Sequence, residues 1–283
     1  MRRATIAIAT ILTAAGGGAF ADCEDVNLYD VSGGSFVLDS SLINAWSASG
    51  TPVDLVVPMF VIEHPRGLVL FDTGIAAAVA DGGCADYWGD GLCNFVTPKW
   101  TREDVVDRKL ARIGHALADV THVVHSHFHV DHVGNIEMFP EAVHVVQKAE
   151  IQHAWWPEKM FRGPFLLKDY DEARDFQYME LAGDFDLFGD GCIEVLSTPG
   201  HTPGHQSLAV RLPRTGTVIL TGDTMYAPEH LAGTAVPGYT QDVSANLASN
   251  ERLKWLRDAE GAEIWITHDM AQHKARRHLE PYE

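Results

Sequence analysis

Positive charge is scarce in this sequence. Its 283 residues carry 21 Lys and Arg against 39 Asp and Glu, a formal net charge of −18. Arg2 and Arg3 fall in the first 21 residues, which contain no acid, so the remainder carries −20. A body this acidic repels phosphate backbones, which argues against nucleic acid as a partner. Long apolar runs are missing too. The one N-terminal stretch, residues 6–15, is short and interrupted by threonine, well below the roughly 20 residues a spanning helix needs. There is no obvious internal repeat and no serine-rich or proline-rich linker, so one domain is expected over residues 22–283.

Cysteine occurs four times, at Cys23, Cys84, Cys93 and Cys192. Their meaning depends on compartment. Arg2-Arg3, the apolar stretch after them and Ala19-Phe20-Ala21 together read as a cleavable export signal over residues 1–21. Asp22 separates that cleavage site from Cys23, which argues against a lipid-anchored cysteine and hence against a stable membrane anchor. A periplasmic or secreted protein is expected. In an oxidising compartment four cysteines allow three pairings. Cys84 and Cys93 share one glycine-rich segment, which favours that pair and leaves Cys23 with Cys192; four buried or free thiols are the other possibility.

What the chain does have is histidine in a particular place. His127-Phe128-His129-Val130-Asp131-His132 follows the apolar run Val120-Thr121-His122-Val123-Val124. Imidazole and carboxylate are the usual ligands of zinc and related divalent metals. Alternate side chains on a strand share a face, so a strand end aims His127 and His129 the same way. A turn after them brings Asp131 and His132 to a second position. Three further candidates stand just past strand-like segments: His201 in Pro199-Gly200-His201-Thr202-Pro203-Gly204-His205, Asp223 in Thr221-Gly222-Asp223, and His268 in Thr267-His268-Asp269. Strand ends of a buried sheet are where α/β proteins commonly build sites. With this set complete, no metal role is expected for the cysteines.

These motifs resemble the metallo-β-lactamase superfamily. Leu70-Phe71-Asp72-Thr73-Gly74 is similar to its early strand-end motif, and within the superfamily the likeness is closest to the N-acyl-homoserine lactone hydrolases. The resemblance runs from about residue 26 to the C-terminus and includes Tyr226, three residues beyond Asp223. It implies an αββα sandwich of the α/β class. It also implies two divalent metals, with zinc the best suited. His127, His129 and His201 would hold one metal; Asp131, His132 and His268 would hold the other; and Asp223 would bridge them. The reaction implied is hydrolysis of a small-molecule lactone by metal-bound hydroxide. Tyr226 would face the carbonyl, and Asp131 is a candidate proton carrier.

Alternatives stay open at this level. Asp72 is either a carboxylate orienting a ligand imidazole or a turn-capping aspartate. Tyr226 is either catalytic or a loop tyrosine. His125 is either an outer hydrogen-bonding residue of the site or, the favoured reading, a strand histidine satisfied by a backbone partner, and His205 reads as a turn residue. Val130 departs from the larger aromatic residue of several lactonases, a change in the acyl-chain pocket. Aromatic residues in 76–100 and in 153–178 (Trp155, Trp156, Phe161, Phe165) could line that pocket or pack beneath loops. An organophosphate or aryl-ester hydrolase is the main enzymatic alternative, and a non-catalytic exported metal-binding protein the other.

Periodicity supplies the rest. Strands are expected either side of His64-Pro65-Arg66-Gly67 and of Pro213-Arg214-Thr215-Gly216, the first beginning at Val56 and running to Ile62. Thr101 with Asp104 suggests a helix start, and Val106, Leu110, Ile113 and Leu117 a buried stripe. A second helix is expected over residues 244–259, stopped near Gly261.

Overall fold

Two sheets meet face to face in the computed structural model, which describes residues 23–283. Among these, one sheet runs Pro281–Tyr282, Asn27–Asp30, Phe60–His64, Gly67–Phe71, Val120–Val124, Val143–Gln147, Tyr178–Leu181 in spatial order. The other runs Phe185–Asp186, Ile193–Ser197, Gln206–Leu212, Gly216–Leu220, Glu263–Trp265. A small third sheet joins Pro52–Val57, Gly33–Asp39 and Thr97–Lys99.

The two-residue alternation of each strand decides what lies between the layers. Val69 and Phe71 turn inward against Ile193, Val195, Leu208 and Val218 of the second sheet. Leu68 and Leu70 turn outward and meet Val106 and Leu110 of the helix Val106–Arg112. On the far side, Leu253 of the helix Val243–Glu260 packs against Ile219 and Ile264. Each such buried aliphatic contributes about 1.5–3 kcal/mol of transfer free energy. The order helix, sheet, sheet, helix is the expected αββα sandwich.

Both expected hairpins form, Phe60–His64 with Gly67–Phe71 and Gln206–Leu212 with Gly216–Leu220. The expected strand from Val56 to Ile62 does not run through. Pro58 has no N–H to give a ladder, and around it the chain leaves the small sheet at Val57 and re-enters the large one at Phe60. The helix expected from Thr101 is also divided. Asp104 accepts from both the N–H and the hydroxyl of Thr101, but this caps only a short 3₁₀ turn, Arg102–Asp104. The helix proper ends at Arg112, before Gly114 at φ +89°, and Leu117 sits in a separate turn. The long helix is as expected within a residue: the Asp242 carboxylate accepts from Ala245 N–H, and Gly261 closes it in the left-handed region.

The structure joins Cys23 to Cys192 and Cys84 to Cys93. The expected export signal lies outside the described residues. No helix among the described residues is long and apolar enough to cross a membrane.

Candidate metal centre

The candidate residues sit where strands of both sheets run out at one edge. Loop 125–132 follows the strand Val120–Val124, and Asp72 comes just after the central strand Gly67–Phe71 beside it. From the second sheet come His201, in the loop joining Ile193–Ser197 to Gln206–Leu212, then Asp223 after Gly216–Leu220, and His268 after Glu263–Trp265. All seven sequence candidates converge there in two groups.

In the first group His201 Nε2 lies 3.2 Å from His127 Nε2 and 3.0 Å from His129 Nδ1. Asp223 Oδ2 is 3.3 Å from His201 Nε2 and 3.7 Å from His127 Nε2. In the second, His132 Nε2 and His268 Nε2 are 3.2 Å apart, and Asp131 Oδ2 lies 3.3 Å and 3.6 Å from them. Asp223 Oδ1 reaches this pair at 3.2 Å and 3.0 Å. One carboxylate thus offers an oxygen to each group.

The outward nitrogens show what the inward ones are for. His268 Nδ1 donates to Val56 O at 2.7 Å, and His201 Nδ1 to Tyr239 O at 3.2 Å. His132 Nδ1 donates to Asp72 Oδ2 at 2.8 Å; His127 Nδ1 donates to Ser126 Oγ, whose own hydroxyl donates to Asp72 Oδ2. In a neutral ring these bonds leave each Nε2 lone pair facing inward, towards other imidazoles and carboxylates. Burial would lower His132 and His268, but Asp131 and Asp223 at the first and Asp223 at the second raise them above the ordinary range, so a divalent cation would displace protons from this group. Imidazoles gathered around a shared carboxylate suit divalent cations, so the residues fit the metals the sequence motifs imply. Burial holds the His127, His129 and His201 imidazoles below their ordinary range, in the neutral form a metal requires. Burial alone would raise Asp223, but His268, His132, His127 and His201 hold it well below the usual carboxylate range.

The metallo-beta-lactamase superfamily model matches residues 52–260. The chain belongs to that superfamily. It is a metal-dependent hydrolase. It is 34% identical over 248 residues to the N-acyl homoserine lactonase AttM of Azorhizobium caulinodans, covering 87% of this chain and 94% of the relative. It is 31% identical over 256 residues to the N-acyl homoserine lactonase AiiA of Bacillus thuringiensis subsp. kurstaki, covering 90% and 98%. A solved N-acyl homoserine lactone hydrolase with the product N-hexanoyl-L-homoserine at its catalytic metal centre superposes with a TM-score of 0.81. That match has 28% identity and covers 92% of this chain and 100% of the other.

In this member of the superfamily an apolar cleft opens over the two groups. Phe36, Leu38, Leu42, Phe95, Val96, Val130, Pro164 and Tyr239 line it together with His129, His201, Asp131, Asp223 and Tyr226. The Tyr226 hydroxyl donates to Asp223 Oδ2 at 2.9 Å and lies 3.1 Å from His201 Nδ1. Burial and then the Asp223 carboxylate push this phenol well above its ordinary value, so it stays a proton donor. Of the aromatics expected near the cleft, Phe165 packs on the His129 ring at 4.7 Å, Trp155 against Tyr170, and Trp156 is exposed.

Of the two readings of Asp72, the structure favours the carboxylate that orients an imidazole: at φ +61°, it accepts from Ser126 N–H, Ser126 Oγ–H and His132 Nδ1–H. Two histidines depart from expectation. His125 finds a side chain rather than a backbone partner. His144 Nε2 donates to Phe139 O, so its Nδ1 accepts from His125 Nε2 at 2.9 Å. His205 is more than a turn residue. Its Nδ1 donates to Thr198 O, and its Nε2 accepts the Asp223 N–H at 2.8 Å, fixing the backbone of the shared carboxylate. Gly222, at φ +56°, makes room for that ring, since a Cβ there would lie 2.5 Å from His205 Nε2. Ser126, Tyr239 and Glu150 were not anticipated at all.

Proposed function

We propose that the protein opens the lactone ring of N-acyl-homoserine lactones with two bound divalent ions, zinc being the ion these nitrogen and oxygen ligands suit best. The observation carrying this reading is Tyr226: a neutral, buried phenol lining an apolar cleft, hydrogen-bonded to the carboxylate both ligand groups share. The relatives named above, N-acyl homoserine lactonases over nearly their whole length, support it.

When bound, the metals supply Lewis acidity and lower the pKa of a water. His127, His129 and His201 would hold one ion and Asp131, His132 and His268 the other, with Asp223 offering an oxygen to each group. The cleft walls seat the acyl chain and exclude bulk water. Tyr226 turns its O–H from Asp223 to the lactone carbonyl oxygen, which becomes an oxyanion as water adds to the carbonyl carbon. Asp131, which lines the cleft, takes the proton the attacking water loses, and as the ring C–O bond breaks it passes that proton to the departing alkoxide. The product is the ring-opened N-acyl-homoserine.

The test is proton release from lactones of several acyl lengths, with and without a chelator. Rapid release that chelation abolishes and added metal restores is expected. Metal-replete protein that leaves these lactones intact but cleaves phosphotriesters or aryl esters would replace the substrate assignment.

We also infer export to an oxidising compartment, with residues 1–21 as the signal. The Cys23 to Cys192 bridge spans 169 positions and ties the start of the described chain to the second sheet. Closing so large a loop is worth about 2–5 kcal/mol. Replacing both cysteines by alanine should therefore lower the denaturant midpoint of purified protein by a corresponding amount. An unchanged midpoint would mean the pair contributes nothing to the mature fold.

A further inference from the structure

Glu150 is a fully buried acid outside both ligand groups. It is the third residue of the helix Lys148–Trp155, directly after the strand Val143–Gln147. Its Oε1 accepts the N–H of Phe128 at 3.0 Å. Its Oε2 accepts the Thr202 hydroxyl at 2.6 Å and the Gly204 N–H at 3.1 Å. Phe128 stands between His127 and His129, and Thr202 follows His201. One carboxylate therefore joins the loop carrying two ligands of the first group to the loop carrying the third.

The approach is close because it has to be. A Cβ on Gly204 would lie 2.1 Å from the backbone nitrogen of Glu150, so only glycine lets the His201 loop settle on the helix start. All three bonds come from donors, two of them backbone N–H groups. An ionised carboxylate accepts all three; an amide cannot, because one of its two ends is itself a donor. In the second group His132 is held directly by Asp72, which reaches His127 only through Ser126, and His268 by Val56 O; Glu150 touches none of these supports.

We propose that Glu150 is a positioning residue that fixes the spacing of the two loops, and through it the metal affinity of the His127, His129 and His201 site alone. It acts through Phe128, Thr202 and Gly204 and does not touch the metal. Outer groups that orient metal ligands typically change affinity 10–100-fold when removed.

The proposal rests on the two-metal reading but not on the lactone, and zinc titration against a chromophoric chelator tests it with no substrate present. Wild-type protein should take up two equivalents. In Glu150→Gln one equivalent should weaken about 10–100-fold while the other holds its wild-type affinity. The metal-free variant should melt as a single cooperative transition. Thr202→Val removes one of the three donors and should weaken the same equivalent to a smaller extent, whereas Thr202→Ser, which keeps the hydroxyl, should restore it. These two variants decide the matter if Glu150→Gln fails to fold. Wild-type affinity for both equivalents in a folded Glu150→Gln, equal weakening of both, or indistinguishable Thr202→Val and Thr202→Ser would each overturn it. Uptake of a single equivalent by wild-type protein would instead remove the two-metal reading beneath it.

Discussion

Asp223→Asn is expected to strip the protein of most of its metal and nearly all of its activity. The carboxylate is the one anion common to both ligand groups, with an oxygen at 3.0–3.7 Å from four imidazole nitrogens. Asparagine has nearly the same shape, so packing survives and the change isolates the charge. Removing one partner from a buried charged assembly costs about 3–5 kcal/mol, which corresponds to roughly 10²–10⁴-fold in metal affinity or turnover. Metal content after dialysis and kcat/KM on a lactone measure the two effects. An Asn variant that keeps both metals and turns over normally would take Asp223 out of the centre.

Tyr226→Phe separates chemistry from assembly. The ring stacks on His268 with centroids 5.7 Å apart, and phenylalanine keeps that contact. Only the hydroxyl goes, and with it the donor proposed for the oxyanion. Loss of one such donor typically lowers kcat by about 10²–10³-fold. Metal content should stay near wild type, because Tyr226 is not a ligand and Asp223 retains its backbone support from His205. Unchanged lactone kinetics would remove Tyr226 from the mechanism.

The contrast between these residues and Glu150 shows what a sequence can disclose. His127, His129, Asp131 and His132 declare themselves because four ligand-type side chains crowd one strand end, and the loop is too short to send them elsewhere. His201, Asp223 and His268 are single residues, legible because each stands where an apolar run stops at a turn. The two hairpins and the long helix were legible for the same reason: Gly and Pro punctuate them locally. Glu150 has no such signature. It is one acid in a polar stretch, Gln147-Lys148-Ala149-Glu150, and its role exists only once the loop at 201–205 folds down on it. His205 is masked by its neighbour His201, which already accounts for the motif, while its partner, the Asp223 N–H, lies 18 positions away. The strand from Val56 failed because apolar periodicity continued across Pro58 while the hydrogen-bond ladder could not.

Each ligand group draws on both sheets. His127, His129, Asp131 and His132 belong to the first; His201, Asp223 and His268 belong to the second. A cation held in either group is therefore a cross-link between the layers, added to their apolar contact, the Cys23 to Cys192 bridge and the hydrogen bonds of Gln206 to Gln147 and Val145 O. By linkage, whatever free energy the metals release on binding the native protein also opposes separation of the sheets. Holding the sandwich shut and arming the cleft are one thermodynamic event, and any condition that starves the protein of metal weakens both together.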